Sequence, residues 1–291
     1  MDIIQSIVLG TTQGITEFLP ISSSAHLVLV PYLSRWQDQG LVFDVALHFG
    51  TLLAIIIYFW QDWTSIIARA ISRKKQDTSN KIQTNSKSQI STPNEANSAS
   101  KANEAKSYPK NLLWILLVAT IPGAIAGMIL EKQAESVFRS PILIATNLIV
   151  FGLIIWLIDK YSKKSFKLST LNFKLAIFIG LAQMLAIIPG VSRSGSTMSA
   201  GRIIGLNRPD SARFSFLLAA PIMLGSALFE ARHLASITLD ASFFIGIISS
   251  LVFGLIAIKY LLQYLQKGNY AIFTWYRVIL AIIVIVVFLL R

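Results

Sequence analysis

Six stretches of this chain are each long and apolar enough to cross a bilayer, and that fact governs every other reading. A hydrocarbon core about 30 Å thick needs about 20 mostly apolar residues in helix. The segments are Leu41–Trp60, Leu112–Leu130, Pro141–Ile158, Phe214–Phe229, Ser242–Leu262 and Ala271–Leu290, each with ends that shift by a few residues. Only 14% of the 291 residues are charged and 54% are hydrophobic, against about 25% charged in a soluble globular chain. Too little polar side chain is available to coat a surface facing water. Soluble enzymes, nucleic-acid-binding domains and disordered scaffolds are excluded. The expectation is an all-α polytopic membrane protein, one membrane domain over 1–291, with no nucleic-acid partner.

Two further apolar stretches are broken in the middle. Ile3–Val30 is interrupted by Thr16–Ser24, and Leu171–Leu206 by Pro189–Thr197. Irregular backbone at membrane depth survives only inside protein or beside a watery cavity. Both stretches read as re-entrant helix–loop–helix hairpins that enter and leave by one face.

The net charge of +12 fits loops on one side loaded with Lys and Arg. If each span crosses once, that side receives the charges from Arg69 to Lys110, then Lys160, Lys163, Lys164, Lys167 and Lys174. Arg202, Arg208, Arg213, Lys267 and Arg277 join them. The other side keeps Arg35, Lys132, Arg139, Arg232 and Arg291. The rich side is cytoplasmic by this bias, and both termini face outward. The first hairpin then enters from outside and the second from the cytoplasm, each followed by three spans. The chain divides into halves of opposite topology, about 1–158 and 172–291, and such inverted repeats place a site where broken helices meet. Residues 76–108 are rich in Ser, Asn, Lys, Gln and Thr and read as a disordered cytoplasmic loop. The absence of Cys excludes disulfides, thiolate catalysis and Cys-ligated metals.

The breaks hold the chemistry. Gln13 and Glu17, four apart, share a helix face; Ser22, Ser23 and Ser24 follow Pro20, with His26 one turn on. An acid, a hydroxyl cluster and an imidazole within ten residues can form a nucleophile with its base. In a soluble protein the same run reads as a Ser-rich cap. An intramembrane carboxylate costs about 2.5–3.5 kcal/mol or more at the bilayer centre, which favours function. In the second break Ser192, Arg193, Ser194, Ser196 and Thr197 surround a fixed positive charge with hydroxyls at a helix start. Arg binds phosphate in bidentate fashion and helix N-termini favour anions, whereas the Gly-Lys-Ser/Thr pattern of a P-loop is missing. The bland alternative pairs Arg193 with a structural carboxylate such as Glu17. Asp44 and His48 share a face at the start of the first span and read as interfacial capping residues, with a metal or proton role as the alternative. Arg202, Arg208 and Arg213 read as cytoplasmic anchors.

The run Gln13-Gly-Ile-Thr-Glu17-Phe-Leu-Pro-Ile-Ser22-Ser23-Ser24-Ala-His26 resembles the first signature of the undecaprenyl-diphosphate phosphatases of the bacitracin-resistance type. Pro189-Gly-Val-Ser192-Arg193-Ser194-Gly-Ser196-Thr197 resembles their second signature, and Phe43–His48 and Phe214–Pro221 resemble further family segments. The resemblance implies a homodimeric, multi-pass enzyme of the bacterial cytoplasmic (inner) membrane, with six spans, two re-entrant hairpins and a pocket facing the outer side. Its implied activity is removal of the terminal phosphate of undecaprenyl diphosphate, which regenerates the lipid carrier for wall synthesis. By position, Glu17 matches the second acid of the family's paired-acid motif, Ser23 the proposed nucleophile with Ser22 beside it, and His26 the motif histidine. Ser192, Arg193 and Thr197 match the phosphate-binding positions, with Ser194 and Ser196 in the same run. Gln13 stands at the first acid position and cannot act as a charged ligand, so a divalent cation (Mg²⁺ or Ca²⁺) would rest on Glu17 and the substrate. A transporter or flippase of an anionic lipid is the rival reading, since broken helices also build carriers.

Overall fold

The computed structural model describes residues 2–79, 108–130, 132–133, 137–162, 165–232 and 240–291, the side chains of 72–79 excepted. Eleven α-helices fill the described residues. They are α1 (Ile3–Phe18), α2 (Ser23–Ser34), α3 (Gly40–Tyr58), α4 (Trp60–Ser79), α5 (Leu112–Ile129) and α6 (Pro141–Tyr161), then α7 (Phe173–Met184), α8 (Arg193–Ile203), α9 (Arg208–Glu230), α10 (Ala241–Tyr264) and α11 (Ala271–Leu289). The described residues hold no strand beyond one isolated bridge between Phe166 and Leu206. Helices α3, α5, α6, α9, α10 and α11 are the six expected long apolar elements, with mean hydropathy from 1.6 to 2.6. The chain is a multi-pass membrane protein.

Proline places both breaks. The residue before a proline is pushed out of the helical region, and α1 ends at Phe18 with Leu19 extended ahead of Pro20. Past α7, a short 3₁₀ turn at Leu185–Ile187 leads to an extended Ile188 ahead of Pro189. Each break then passes through a serine with left-handed backbone, Ser22 at φ 75° and Ser192 at φ 77°. Such a conformation costs a non-glycine residue about 1–3 kcal/mol and persists only where its surroundings impose it. Helices α2 and α8 start directly after these serines.

Close crossings hold the two broken elements in place. Helix α1 runs along α10, and α7 along α5. A Cβ on Gly10 would strike the Gly246 carbonyl oxygen and lie 2.8 Å from Ser249 Cβ; one on Gly180 would strike the Ala119 carbonyl. Small residues are what allow helices to approach so closely in lipid. Phe18 at the end of α1 meets Phe216 of α9 edge-on, with ring centroids 5.1 Å apart. This seats the first break against the centre of the bundle.

Four sequence-based placements need revision or completion. Residues 76–79 continue α4; of the expected loop, 80–107 lie outside the described residues, and Tyr108 is buried with its hydroxyl 3.0 Å from Asp62. Arg202 and Arg208 do more than anchor, because both hold Asp159, at 3.3 and 2.7 Å. Arg213 likewise pairs with Asp62 at 2.8 Å. Arg277, counted among cytoplasmic charges, sits inside α11 with no exposed surface at all.

Candidate active site

The two breaks meet at the head of a cavity of about 520 Å³, and Glu17, Ser23, His48, Ser192, Arg193 and Ser194 line its polar end. Glu17 lies in the last turn of α1 and is only 4% exposed. Its carboxylate gathers partners from its own helix and from three others. Ser23, first residue of α2, donates its Oγ hydrogen to Glu17 Oε2 at 2.5 Å, and Gln13 Nε2 donates to the same oxygen at 2.9 Å. His48 Nε2 of α3 stands 3.3 Å from it. The Arg193 guanidinium, first residue of α8, reaches Glu17 Oε1 at 2.7 Å. An ionised carboxylate is therefore matched by a cation and several hydrogen bonds, as a buried charge requires.

The second break is held by its own hydroxyls. Ser192 Oγ accepts from the Gly195 N–H at 3.0 Å and caps α8. Ser194 donates to the Leu19 carbonyl of the first break at 2.9 Å. Thr197 donates to the Arg193 carbonyl at 2.8 Å and lies 2.6 Å from the Ser215 hydroxyl. Arg193 thus projects from a capped helix start whose free N–H groups favour an anion.

The expected residues divide into two groups. Glu17, Ser23, Ser192, Arg193 and Ser194 line the cavity, whereas Gln13, Ser22, His26, Ser196 and Thr197 stand outside its lining. Gln13 acts on Glu17 from one turn below. Ser22 Oγ accepts from the Gly190 N–H at 3.0 Å and so ties one break to the other. His26 turns away from Glu17: Nδ1 lies 2.7 Å from the Ser22 carbonyl and Nε2 lies 2.8 Å from the Tyr276 hydroxyl. That pattern suits a neutral ring donating through Nδ1 and accepting through Nε2. The imidazole that faces the carboxylate is His48, whose Nδ1 meets the Asp44 carbonyl at 2.7 Å. The Asp44 carboxylate is drawn off to Arg139, 2.9 Å away.

A family model described as bacitracin resistance protein BacA matches residues 6–283. The chain belongs to the BacA family. It is similar throughout to several curated relatives named undecaprenyl-diphosphatase. That of Moorella thermoacetica is 44% identical over 291 residues, covering 100% of both chains. That of Pelotomaculum thermopropionicum is 42% identical over 286 residues, covering 98% of this chain and 97% of the relative. That of Gemmatimonas aurantiaca is 43% identical over 291 residues, with the same coverage of 98% and 97%.

In this BacA-family chain, two residues of the site region escaped the sequence reading. Arg277 donates to the carbonyls of Pro20 at 3.1 Å and Leu148 at 3.1 Å, and also to that of Gly190. A single Arg inside an apolar span is a signal in its own right; assigning it to a loop hid it. Gln183, near the end of α7, lines the cavity and is 3% exposed. Its signal was spacing, since Gln13 and Gln183 each stand nine residues before the left-handed serine of their break.

Proposed function

We propose that this chain is an integral membrane phosphatase that hydrolyses undecaprenyl diphosphate to undecaprenyl phosphate and inorganic phosphate. Recycling of that carrier supports wall synthesis and bacitracin resistance. The observation that carries the mechanism is the 2.5 Å contact of Ser23 Oγ with a carboxylate that also faces Arg193. The substrate's terminal phosphate enters beside Arg193 and the α8 N-terminus and displaces the guanidinium from Glu17. Ser23 Oγ attacks the terminal phosphorus while Glu17 takes its proton. The bond to the bridging oxygen breaks, and undecaprenyl phosphate leaves. Glu17 passes that proton to the departing undecaprenyl phosphate. Water then attacks the phosphoseryl phosphorus while Glu17 takes one of its protons and returns it to Ser23 Oγ, whose bond to phosphorus breaks to release phosphate. His48 steadies the carboxylate through both steps. Phosphoryl transfer asks mainly for positioning and charge stabilisation, which these groups supply. His26 positions Ser22 from behind in this scheme.

The carboxylate of Glu17 already faces Arg193, His48, Ser23 and Gln13. No cluster of three or more His, Cys, Asp or Glu exists among the described residues. Glu17 alone could lend one oxygen to Mg²⁺ or Ca²⁺, the other ligands coming from the substrate; such an ion would neutralise phosphate charge.

The reading includes two re-entrant hairpins in inverted repeat, opening to the outer side of the cytoplasmic (inner) membrane. Supporting it, α1 packs on α10 as α7 packs on α5, and α6 packs on α11, the last long helix of each half. The cavity is lined by Leu41 and Val45 at the start of α3, Met128 at the end of α5 and Phe229 at the end of α9. Those ends lie opposite the Lys- and Arg-rich ones. The apolar wall there suits the first isoprenoid units of the lipid. A homodimer, implied by the resemblance, belongs to the same proposal and is tested by mass measurement in detergent.

Phosphate release from undecaprenyl diphosphate by purified protein, with Ser23→Ala and Arg193→Ala alongside, decides the matter. Turnover that collapses in both folded variants supports the scheme; near-normal turnover in Ser23→Ala removes the serine from it. The paired broken helices also suit a lipid carrier, and that reading takes over if folded wild type releases no phosphate with or without added dication.

A further inference from the structure

Gln183 stands out among the buried polar groups that lack a partner, which include Gln13 Oε1 and the Ser199, Ser211 and Tyr270 hydroxyls. Both ends of its side-chain amide, Nε2 and Oε1, are buried and have no hydrogen-bond partner. Burying a polar group without a partner forfeits its hydration for nothing in return. Yet the residue lines the cavity that ends at Ser23 and Arg193.

The first break shows what an amide at this station does. Gln13 stands nine residues before Ser22, and its Nε2 donates to Glu17, four residues on, at 2.9 Å. Gln183 stands nine residues before Ser192, but the residue four places on is Ile187, which also lines the cavity. The donor is retained and its carboxylate is gone. Space is kept for the amide as well: a Cβ on Gly123 of α5 would sit 2.9 Å from Gln183 Nε2. An anionic oxygen arriving through the cavity fits the place that a carboxylate holds in the first half.

Resting on the phosphatase reading, we propose that Gln183 is a substrate-contacting residue whose Nε2 donates to a phosphoryl oxygen of the lipid diphosphate, while Oε1 accepts from a water held at the head group. It forms the part of the phosphate subsite contributed by α7, separate from the clamp of Arg193. The shared chemistry is a phosphoryl oxygen, whether borne by the lipid or by released orthophosphate.

The test compares wild type with Gln183→Met, which keeps the side chain's length and removes both polar ends, and with Gln183→Glu. Three readouts on the full chain in detergent are needed: thermal unfolding without ligand, KM and kcat for undecaprenyl diphosphate, and inhibition and thermal shift by orthophosphate. The expected Gln183→Met protein unfolds no earlier than wild type, because an unpaired amide has been replaced by an apolar group. Its KM rises about tenfold, the weight of one charge-assisted hydrogen bond. Gln183→Glu binds more weakly still, through repulsion. A parallel loss of orthophosphate inhibition places the contact on the terminal phosphate; loss confined to the lipid substrate places it on the phosphate that stays with the lipid. Lower thermal stability with an unchanged KM overturns the proposal in favour of a packing role. If wild type releases no phosphate, the phosphatase reading fails by itself, and the orthophosphate thermal shift still decides Gln183. No shift in wild type, or an equal one in Gln183→Met, then overturns it.

Discussion

Arg277 donates to the Pro20 carbonyl at 3.1 Å with the guanidinium nitrogen that also reaches Val191 at 3.4 Å. One buried side chain from α11 therefore grips the main chain of both breaks, 257 residues from the first and 86 from the second. Carbonyls rather than a carboxylate are its partners, so its charge remains as a fixed positive field behind Ser23 and Arg193. In the proposed mechanism its role is to set the distance between Ser23 and Arg193.

Arg277→Met leaves several buried carbonyls without a donor, each worth about 1–3 kcal/mol. We expect earlier thermal unfolding and a fall of kcat greater than that of KM, since misplacement of reacting groups acts on the transition state. Arg277→Lys recovers stability better than turnover, because an ammonium cannot span carbonyls on three elements at once. Equal kcat in all three proteins would remove Arg277 from the positioning of the site.

Glu17→Gln separates charge from hydrogen bonding. The amide can still face Ser23 and Arg193, but it takes no proton and no longer competes with phosphate for the guanidinium. Turnover should fall by about 10²–10⁴-fold, the usual weight of a general base, while substrate KM stays level or drops. Steady-state kinetics on folded protein checks this, and a raised KM with intact kcat contradicts the role.

Much of this architecture was legible because apolar length and proline act locally. The six spans and the end of α1 need no tertiary information: Pro20 pushes Leu19 out of the helix by steric clash alone, and Pro189 does the same to Ile188, beyond the 3₁₀ turn that follows α7. Glu17 and Arg193 stood out because ionised groups inside lipid demand a reason. What was not legible depends on which way a side chain turns. His26 and His48 are both one turn from a motif residue, yet only His48 reaches Glu17, since α3 crosses that face and Tyr276 of α11 captures His26. The burial of Arg277 and the orphaned amide of Gln183 likewise emerge only when distant helices pack.

Ser22 carries two burdens, a left-handed backbone at φ 75° and a 3.0 Å contact from the Gly190 N–H. Ser22→Gly loses the contact but adopts the backbone freely; Ser22→Ala loses the contact and keeps the strain. Thermal stability should rank Ser above Gly above Ala, the last two about 1 kcal/mol apart. Differential scanning of the three proteins reads the order directly, and Ala at or above Gly would show that the backbone there is unstrained.

Gly10 and Gly180 set how closely the broken elements sit against α10 and α5, and so how deep Ser23 and Arg193 lie. A Cβ at either position runs into a backbone carbonyl of the facing helix, and backbone cannot give way as a flexible side chain can. Overpacking of this kind costs about 1–3 kcal/mol, occasionally more. Gly10→Val and Gly180→Val should each yield little folded protein, and the folded fraction should turn over slowly because the breaks are pushed apart. Gly127, at the far end of α5, has nothing within 4 Å of an added Cβ, so Gly127→Ala should fold like wild type. Size-exclusion profiles in detergent and thermal unfolding compare the three. Wild-type behaviour of Gly10→Val would mean that α1 does not depend on this close crossing to hold Glu17 beside Ser23.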